Sequence, residues 1–401
     1  MKNTIFILFL LVAISCSTEY KPKNRIKEDV AFLAGDKLEG RQTGTPGELK
    51  AADYIKNRFE KLGLTAKGSK GFYQDFTFKP KTNPHEEVKF TENADGTITG
   101  RNVVGFLDNK AKNTVIIGAH FDHLGFGGDG SLHRGEKAIH NGADDNASGV
   151  AVMLNLISKL KEKNTNNNYL FIAFSGEEMG LLGSNYFVKN PTIDTKAVSY
   201  MINMDMVGRL KKDSTLAVYG TGTSPIFKQT LKSHNNNFKL IQKESGVGPS
   251  DHTSFYLADI PVLHFFTGQH SDYHKPSDDI ETLNYEGMEI ISNYIFNIIS
   301  DLNDNGKLAF RKTKSERAQV RFKVGLGVIP DYMFDGKGMR VDGVSEDKPA
   351  IKAGLKKGDI VIQLGDNKVT DMMSYMKALS VFKKGDKTTV IVTRKGKEVK
   401  A

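Results

Sequence analysis

The sequence predicts an α/β fold, with a mostly parallel central sheet between layers of helices, followed by a small, mainly β domain. Three observations predict it. Short apolar runs alternate with segments whose apolar residues recur at helical spacing. Tyr169–Phe174 is apolar throughout, as a strand covered on both faces must be. A polar, charged stretch at 304–320 then separates this pattern from a tail of short apolar runs.

The elements follow in order. Ser17 to Asn24 is polar and reads as a tether, and a helical pattern runs from near Lys27 to the Gly35 region. Glu48 to Leu62 carries Ala51, Ala52, Ile55 and Phe59 at spacings near 3.6, a second helix that Gly63 ends. Val103–Phe106 and Thr114–Gly118 are strand-type runs. Ser148 to Lys161 predicts a helix with Ser148 as N-cap and Val150, Val152, Leu154, Ile157 and Leu160 as its apolar residues. Asn164 to Asn168 reads as the loop before the Tyr169–Phe174 strand. Gly180 to Phe187 and Ile226 to Ser233 read as helices, and Val198 to Met204 and Pro261 to Phe266 as strands. Tyr285 to Leu302 is a long helix with Met288, Ile291, Ile295, Ile298 and Leu302 on one face. Strands alternating with helices imply parallel pairing.

The chain has 401 residues, which suits two domains, and a net charge of +9. That charge is scattered. The densest basic stretches, Arg311–Lys314 and the last dozen residues, carry no interleaved aromatics, so a solvated basic surface is the reading and a nucleic-acid partner is excluded. The single cysteine, Cys16, leaves no intramolecular disulfide. The basic start Met1-Lys2 and the apolar run Ile5–Ile14 read as a signal peptide, since a membrane span needs about 20 apolar residues. Ser15-Cys16 directly after that core resembles a bacterial lipobox. The resemblance implies a lipoprotein cleaved before Cys16, lipidated on its sulfur, exported and membrane-anchored, facing the periplasm or on the outer membrane. A plain signal peptide with an incidental cysteine is the alternative. The expected organisation is 1–15 signal peptide, 16–24 lipidated tether, 25–303 first domain, 304–320 linker and 321–401 second domain.

Four of the apolar runs end on metal-type ligands. Thr114–Gly118 is followed by Ala119-His120-Phe121-Asp122-His123, and Tyr169–Phe174 by Ser175-Gly176-Glu177-Glu178. Val198–Met204 leads straight into Asp205, and Pro261–Phe266 leads, after a loop, into Tyr273-His274. A fifth stretch, Asn141 to Gly149 with Asp144-Asp145, opens a helix. Alone, a Glu-Glu pair is a solvated helix face, a loop histidine is an exposed residue, and an Asp-Asp before a helix is an N-cap. Sites in open α/β sheets form at the carboxyl ends of strands. Ligand-type residues at four such ends point to one shared metal site. The glycine-rich Gly125–Gly130 loop is no phosphate loop, because neither Lys-Ser/Thr nor a helix start follows it.

These motifs, with Phe174-Ser175-Gly176-Glu177-Glu178 and Asn203-Met204-Asp205-Met206-Val207-Gly208, resemble the bacterial co-catalytic di-zinc aminopeptidase family. Leu33 to Gly47, which includes Leu38-Glu39-Gly40-Arg41 and Thr45-Pro46-Gly47, is similar to that family's N-terminal signature. The likeness covers about residues 28 to 300. It implies a three-layer zinc-exopeptidase (phosphorylase/hydrolase-like) domain that releases N-terminal amino acids from peptides with a free N-terminus, through a hydroxide held between two zinc ions. Cobalt or manganese are the substitutes. By position, His120 and Asp205 would bind one ion, Glu178 and His274 the other, and Asp145 would bridge them. Asp122 would fix the His120 tautomer, Glu177 would be the general base, and Tyr273 would donate to the oxyanion. Two divalent ions against three carboxylates and one hydroxide leave a neutral core, which a partly dry cleft tolerates.

Related hydrolases share this ligand order. A carboxypeptidase or deacylase inserts a lid that the stretch between Asp205 and His274 has no space for. A one-metal glutaminyl cyclase does not need all five ligand positions filled. A dead scaffold is disfavoured by an intact Glu177. His123, His140, Asp144, Asp251 and His252 receive no definite role, with Ser250-Asp251-His252 either behind the ligands or in the substrate pocket, or else structural. Arg209 reads as the partner of a carboxylate.

Residues 321–401 resemble a bacterial PDZ domain over their whole length: Gly325-Leu326-Gly327-Val328, Val341-Asp342-Gly343-Val344, Lys348-Pro349-Ala350, Gly358-Asp359-Ile360-Val361 and Thr388–Arg394. The resemblance implies that Gly325, Leu326, Gly327 and Val328 form a loop for the C-terminal carboxylate of a peptide ligand, which adds as a strand. A packing module without a ligand is the alternative.

Overall fold

Residues 25–80, 89–92, 94–128, 130–161, 163–313, 324–331, 334, 336–344 and 348–400 are described in the computed structural model of the chain. The signal peptide, the whole tether with Cys16, and residues 314–320 of the linker lie outside them.

The first domain runs α1 (Ile26–Leu33), α2 (Pro46–Lys61), β1 (Thr65–Ala66), β2 (Tyr73–Phe78), β3 (Ile98–Leu107), β4 (Asn113–His120), α3 (Gly149–Leu160) and β5 (Asn167–Phe174). It continues α4 (Leu182–Lys189), β6 (Val198–Met204), β7 (Thr215–Tyr219), α5 (Phe227–Ser233), β8 (Lys239–Gln242), α6 (His252–Tyr256), β9 (Val262–Phe266) and α7 (Tyr285–Asp301). Nine strands form one sheet in the order β1-β3-β5-β4-β6-β9-β7-β8, with β2 beside β3.

The central strands β5-β4-β6-β9 are parallel, while β3 meets β5, and β7 meets β9, antiparallel. Along β5 the side chains alternate between two cores. Tyr169, Phe171 and Ala173 pack with residues of α1, α3 and α7, and Leu170, Ile172 and Phe174 with Phe187 of α4 and Phe255 of α6. Each of the leucine, isoleucine and phenylalanine side chains contributes roughly 1.5–3 kcal/mol on burial. This explains why the run is apolar without alternation. Register then aligns the strand ends: His120 lies opposite Phe174, Gly118 opposite Asn203, and Met204 opposite Phe265.

Three local expectations are corrected. Ser148 is not an N-cap. Its backbone is already helical, and its hydroxyl donates to the Asp144 carbonyl at 2.7 Å and accepts the Val207 N–H at 3.0 Å. The Asn146 side chain takes the Gly149 N–H instead, at 3.0 Å. The asparagine-rich loop is shorter than its composition suggests, because Asn167 and Asn168 are buried in β5 and their amides tie it to Asn303 and Ala111. The edge strands β1, β2 and β8, and the buried β7 between β9 and β8, have no counterpart among the predicted strands. β2 buries only alternate residues, and neither β1 nor β8 has a buried residue, so composition gives them little contrast.

Residues 304–313 continue along the first domain: Leu308 is buried, the Phe310 ring packs on Tyr256, and the Arg311 N–H donates to the Thr223 carbonyl. The second domain contains β10 (Val328–Pro330), β11 (Met339–Val344), α8 (Pro349–Lys352), β12 (Ile360–Leu364), β13 (Asn367–Lys368), α9 (Met372–Ser380), β14 (Val390–Arg394) and β15 (Lys397–Lys400). Its antiparallel sheet has the order β10-β11-β12-β14-β15, closed over Val341, Leu355, Val361, Leu364, Tyr375 and Val392. β10 is an edge strand that begins at Val328, directly after the Gly325-Leu326-Gly327 turn.

Candidate metal centre

Each ligand-type residue is delivered by a parallel strand or by the turn that opens α3. His120 closes β4, Asp205 follows β6, and Glu177 and Glu178 follow β5 after a left-handed Gly176 (φ 71°). Asp145 lies in the tight turn before α3 and His274 on the loop after β9.

Their donor atoms converge on two points. His120 Nε2 lies 3.3 Å from Asp145 Oδ1 and 3.4 Å from Asp205 Oδ1. His274 Nε2 lies 3.2 Å from Asp145 Oδ2 and 3.2 Å from Glu178 Oε2. Two donors bound about 2.0–2.1 Å from a tetrahedral zinc sit about 3.3 Å apart, so the spacings suit shared ions. The two oxygens of Asp145 face opposite histidines, as a bridging carboxylate must.

Glu177 borders the first of these groups: one of its carboxylate oxygens lies within 4.8 Å of ligand-type atoms of His120 and Asp205. Its Oε2 is 4.0 Å from His120 Nε2. Burial pushes its carboxyl well above the ordinary value, and Asp205 and Glu178 add to this against the opposing pull of His120. Asp122 holds the same loop: its carboxylate accepts the N–H of Glu177 at 3.2 Å and of Glu178 at 3.4 Å. His120 Nδ1 meets the Asp122 carbonyl at 3.2 Å and the Asp122 carboxylate at 3.6 Å. The imidazole is therefore fixed mainly by the backbone of Asp122. The Tyr273 ring stacks on His274, with centroids 3.8 Å apart.

A cavity of about 270 Å³ opens over these residues, with Leu181, Met206, Pro249, His264, Phe266 and Gln269 completing its wall.

Behind the ligands lies a layer that residue type alone does not reveal. Arg41 is fully buried and donates to the carbonyls of Leu33, Phe121, Asn141 and Gly142 at 2.5–3.0 Å, which clamps the His120 loop to the Asp145 turn. Asp278 accepts the N–H of Asp144 and Asp145, and Asp144 pairs with His270 Nε2 at 3.1 Å. Only the Leu-Glu-Gly-Arg and Asp-Asp motifs hinted at these contacts. Among the residues left without a role, Asp251 and His252 are buried, and His252 stacks on cavity-lining His264 with centroids 4.4 Å apart. His140 is tied to Ser131 Oγ at 2.8 Å, on the loop whose Gly130 carbonyl meets His274 Nδ1. Arg209 pairs with Asp272 at 2.9 Å.

Comparison with known proteins fits this arrangement. Residues 102–299 match the profile described as Peptidase family M28, and residues 308–401 match the PDZ domain profile. The chain carries an M28 peptidase domain followed by a PDZ domain. The chain is 33% identical over 169 residues to the alkaline phosphatase isozyme conversion protein of Escherichia coli K12, across 41% of this chain and 46% of that protein. The chain is 29% identical over 283 residues to a probable leucine aminopeptidase of Arthroderma benhamiae, across 66% of this chain and 67% of the relative. It therefore spans under half of the first relative's length and two thirds of the second's. Among solved structures, a Zn-dependent exopeptidase from Parabacteroides distasonis superposes with a TM-score of 0.55 at 19% identity, covering 69% of this chain and 97% of that one. At that identity the likeness establishes the fold.

Proposed function

We propose that the M28 domain is a metal-dependent aminopeptidase that removes single residues from free peptide N-termini, with a site for two zinc ions. The observation that carries this reading is Asp145, whose Oδ1 and Oδ2 face His120 and His274 at 3.3 and 3.2 Å. Two imidazoles and three carboxylates suit zinc, with cobalt or manganese as substitutes. Bound there, the ions supply Lewis-acid polarisation of the scissile carbonyl and lower the pKa of water.

The protein's own groups do the rest. Glu177, raised by burial, accepts the proton of the attacking water and returns it to the leaving amine. Glu177 and Asp205 present negative charge to the substrate ammonium, which selects a free N-terminus. Leu181, Met206 and Phe266 give its first side chain an apolar wall. Tyr273, stacked on His274, donates a hydrogen bond to the developing oxyanion.

The PDZ domain is read as a docking module for a peptide C-terminus, with Gly325–Val328 as its carboxylate loop and the open edge of β10 as its pairing strand. Domain limits of 25–303 and 321–401 and lipid anchoring at Cys16 outside the cytoplasm belong to the same proposal. Among the described residues no helix is long and apolar enough to cross a membrane.

The test is hydrolysis of amino-acid p-nitroanilides, free and N-acetylated, with and without a chelator. Chelator-sensitive release from free-amine substrates alone supports the reading. Equal cleavage of N-acetylated substrates replaces it with a broader amidase, and turnover of N-terminal glutamine alone with a cyclase.

A further inference from the structure

The His-Phe-Asp-His stretch brings a second histidine to the site. His123 is buried, and its Nδ1 lies 2.7 Å from Glu178 Oε1. The other oxygen, Oε2, is the one 3.2 Å from His274 Nε2. The two rings meet edge-on with centroids 5.8 Å apart. His123, Asp145 and Glu178 each place one ligand-type atom within 4.8 Å of the others, so His123 has two candidate roles: a fourth ligand, or a group that orders a ligand.

The distances decide between them. Co-ligands of one tetrahedral zinc sit about 3.3 Å apart, and His274 stands at that spacing from both Asp145 and Glu178. His123 at 2.7 Å from Glu178 is too close for a co-ligand and suits a charge-assisted hydrogen bond. Nδ1 must then carry the proton, because a carboxylate only accepts. His123 Nε2 is buried without a hydrogen-bond partner among the described residues. The ring is also seated. A Cβ on Gly142 would lie 2.5 Å from His123 Cδ2, so only glycine leaves room for it, and the His123 N–H donates to the Arg41 carbonyl at 3.3 Å.

We propose that His123 is a positioning residue that donates from Nδ1 to Oε1 of Glu178 and so presents Oε2, as a single-oxygen ligand, to the metal beside His274. The proposal rests on the two-metal reading. Groups that orient ligands in this way are worth 10- to 100-fold in metal affinity in other sites, by an order-of-magnitude rule.

The experiment is competition of the full chain against a zinc chelator, for the wild type, His123→Leu and His123→Asn. Leucine keeps bulk and removes the donor, and the asparagine amide places an N–H near the Nδ1 position. The expected result is two zinc equivalents in the wild type. One of them weakens about 10- to 100-fold in His123→Leu and by less than about threefold in His123→Asn. Two unchanged equivalents in His123→Leu overturn the proposal and leave the two-metal reading intact. One equivalent in the wild type overturns the two-metal reading itself. Should His123→Leu not fold, histidine ¹⁵N NMR of the zinc-loaded wild type decides. A protonated His123 Nδ1 supports positioning, and a metal-bound Nδ1 overturns it.

Discussion

The Asp278 carboxylate accepts the backbone N–H of Asp145 at 3.0 Å and that of Asp144 at 3.1 Å. It thereby fixes, from behind, the one residue whose two oxygens face both histidines. Asp278 lies four residues after His274, so one loop supplies a ligand and also the brace for the bridging ligand.

Replacing that brace exposes its worth. In Asp278→Ala two buried N–H donors lose their partner, at about 1–3 kcal/mol each. The apoprotein should melt several degrees lower and both zinc equivalents should bind more weakly. Calorimetry with a zinc titration checks this, and an unchanged melting temperature rules the brace out.

Arg41 should prove more sensitive. Arg41→Met removes the guanidinium donor from four buried carbonyls, of which Gly142 keeps the Ala147 N–H, and Arg41→Lys restores one point charge in place of a planar fork. The expected loss exceeds about 3 kcal/mol for methionine and is only partly recovered by lysine. Urea midpoints of the three proteins decide, and a lysine variant as stable as the wild type contradicts the clamp.

Glu177→Gln separates chemistry from metal binding. Glu177 is placed as a proton carrier rather than as a ligand, so turnover should fall by about 10²–10⁴ while zinc content stays at the wild-type level. Loss of a zinc equivalent in this variant would reassign Glu177 as a ligand.

Glu48 gives a pH signature away from the ligands. It is buried on α2 and accepts hydrogen bonds from Ser175 Oγ and from the N–H groups of Gly44 and Arg101. Burial raises its carboxyl from 4.5 to about 7, although those donors pull it down. The folded state thus holds the proton more tightly than the unfolded chain. Its contribution is fully present below about pH 4.5 and is lost as pH rises through about 7. Relative to Glu48→Gln, the wild type should lose up to about 3 kcal/mol over that window. Chemical denaturation of both proteins at several pH values measures the difference, and parallel pH curves refute it.

Much of the candidate site was legible because four of its five ligand-type residues end or follow strands of the sheet. A parallel strand buried on both faces has to be apolar, so the first charged residue after it stands out, as His120 does after β4 and Asp205 after β6. His274 was harder to read, since a loop separates it from β9, and it was found through the Tyr273-His274 pair. Ser148 was misread because a serine before an apolar helix has the composition of a cap whether or not it caps.

The sequence by itself determined which ligand-type residues follow the strands, the order of the motifs, and the presence of an α/β domain followed by a smaller β domain. Tertiary structure alone decided which atoms face one another: the split of Asp145 between two histidines, the clamp of Arg41, the brace of Asp278, and the bond from His123 to Glu178. The reason is physical. Burial and periodicity act on neighbours along the chain and leave a pattern in it. A hydrogen bond between residues 55 or 133 positions apart depends on register and rotamer, and these are fixed only when the sheet and its loops close.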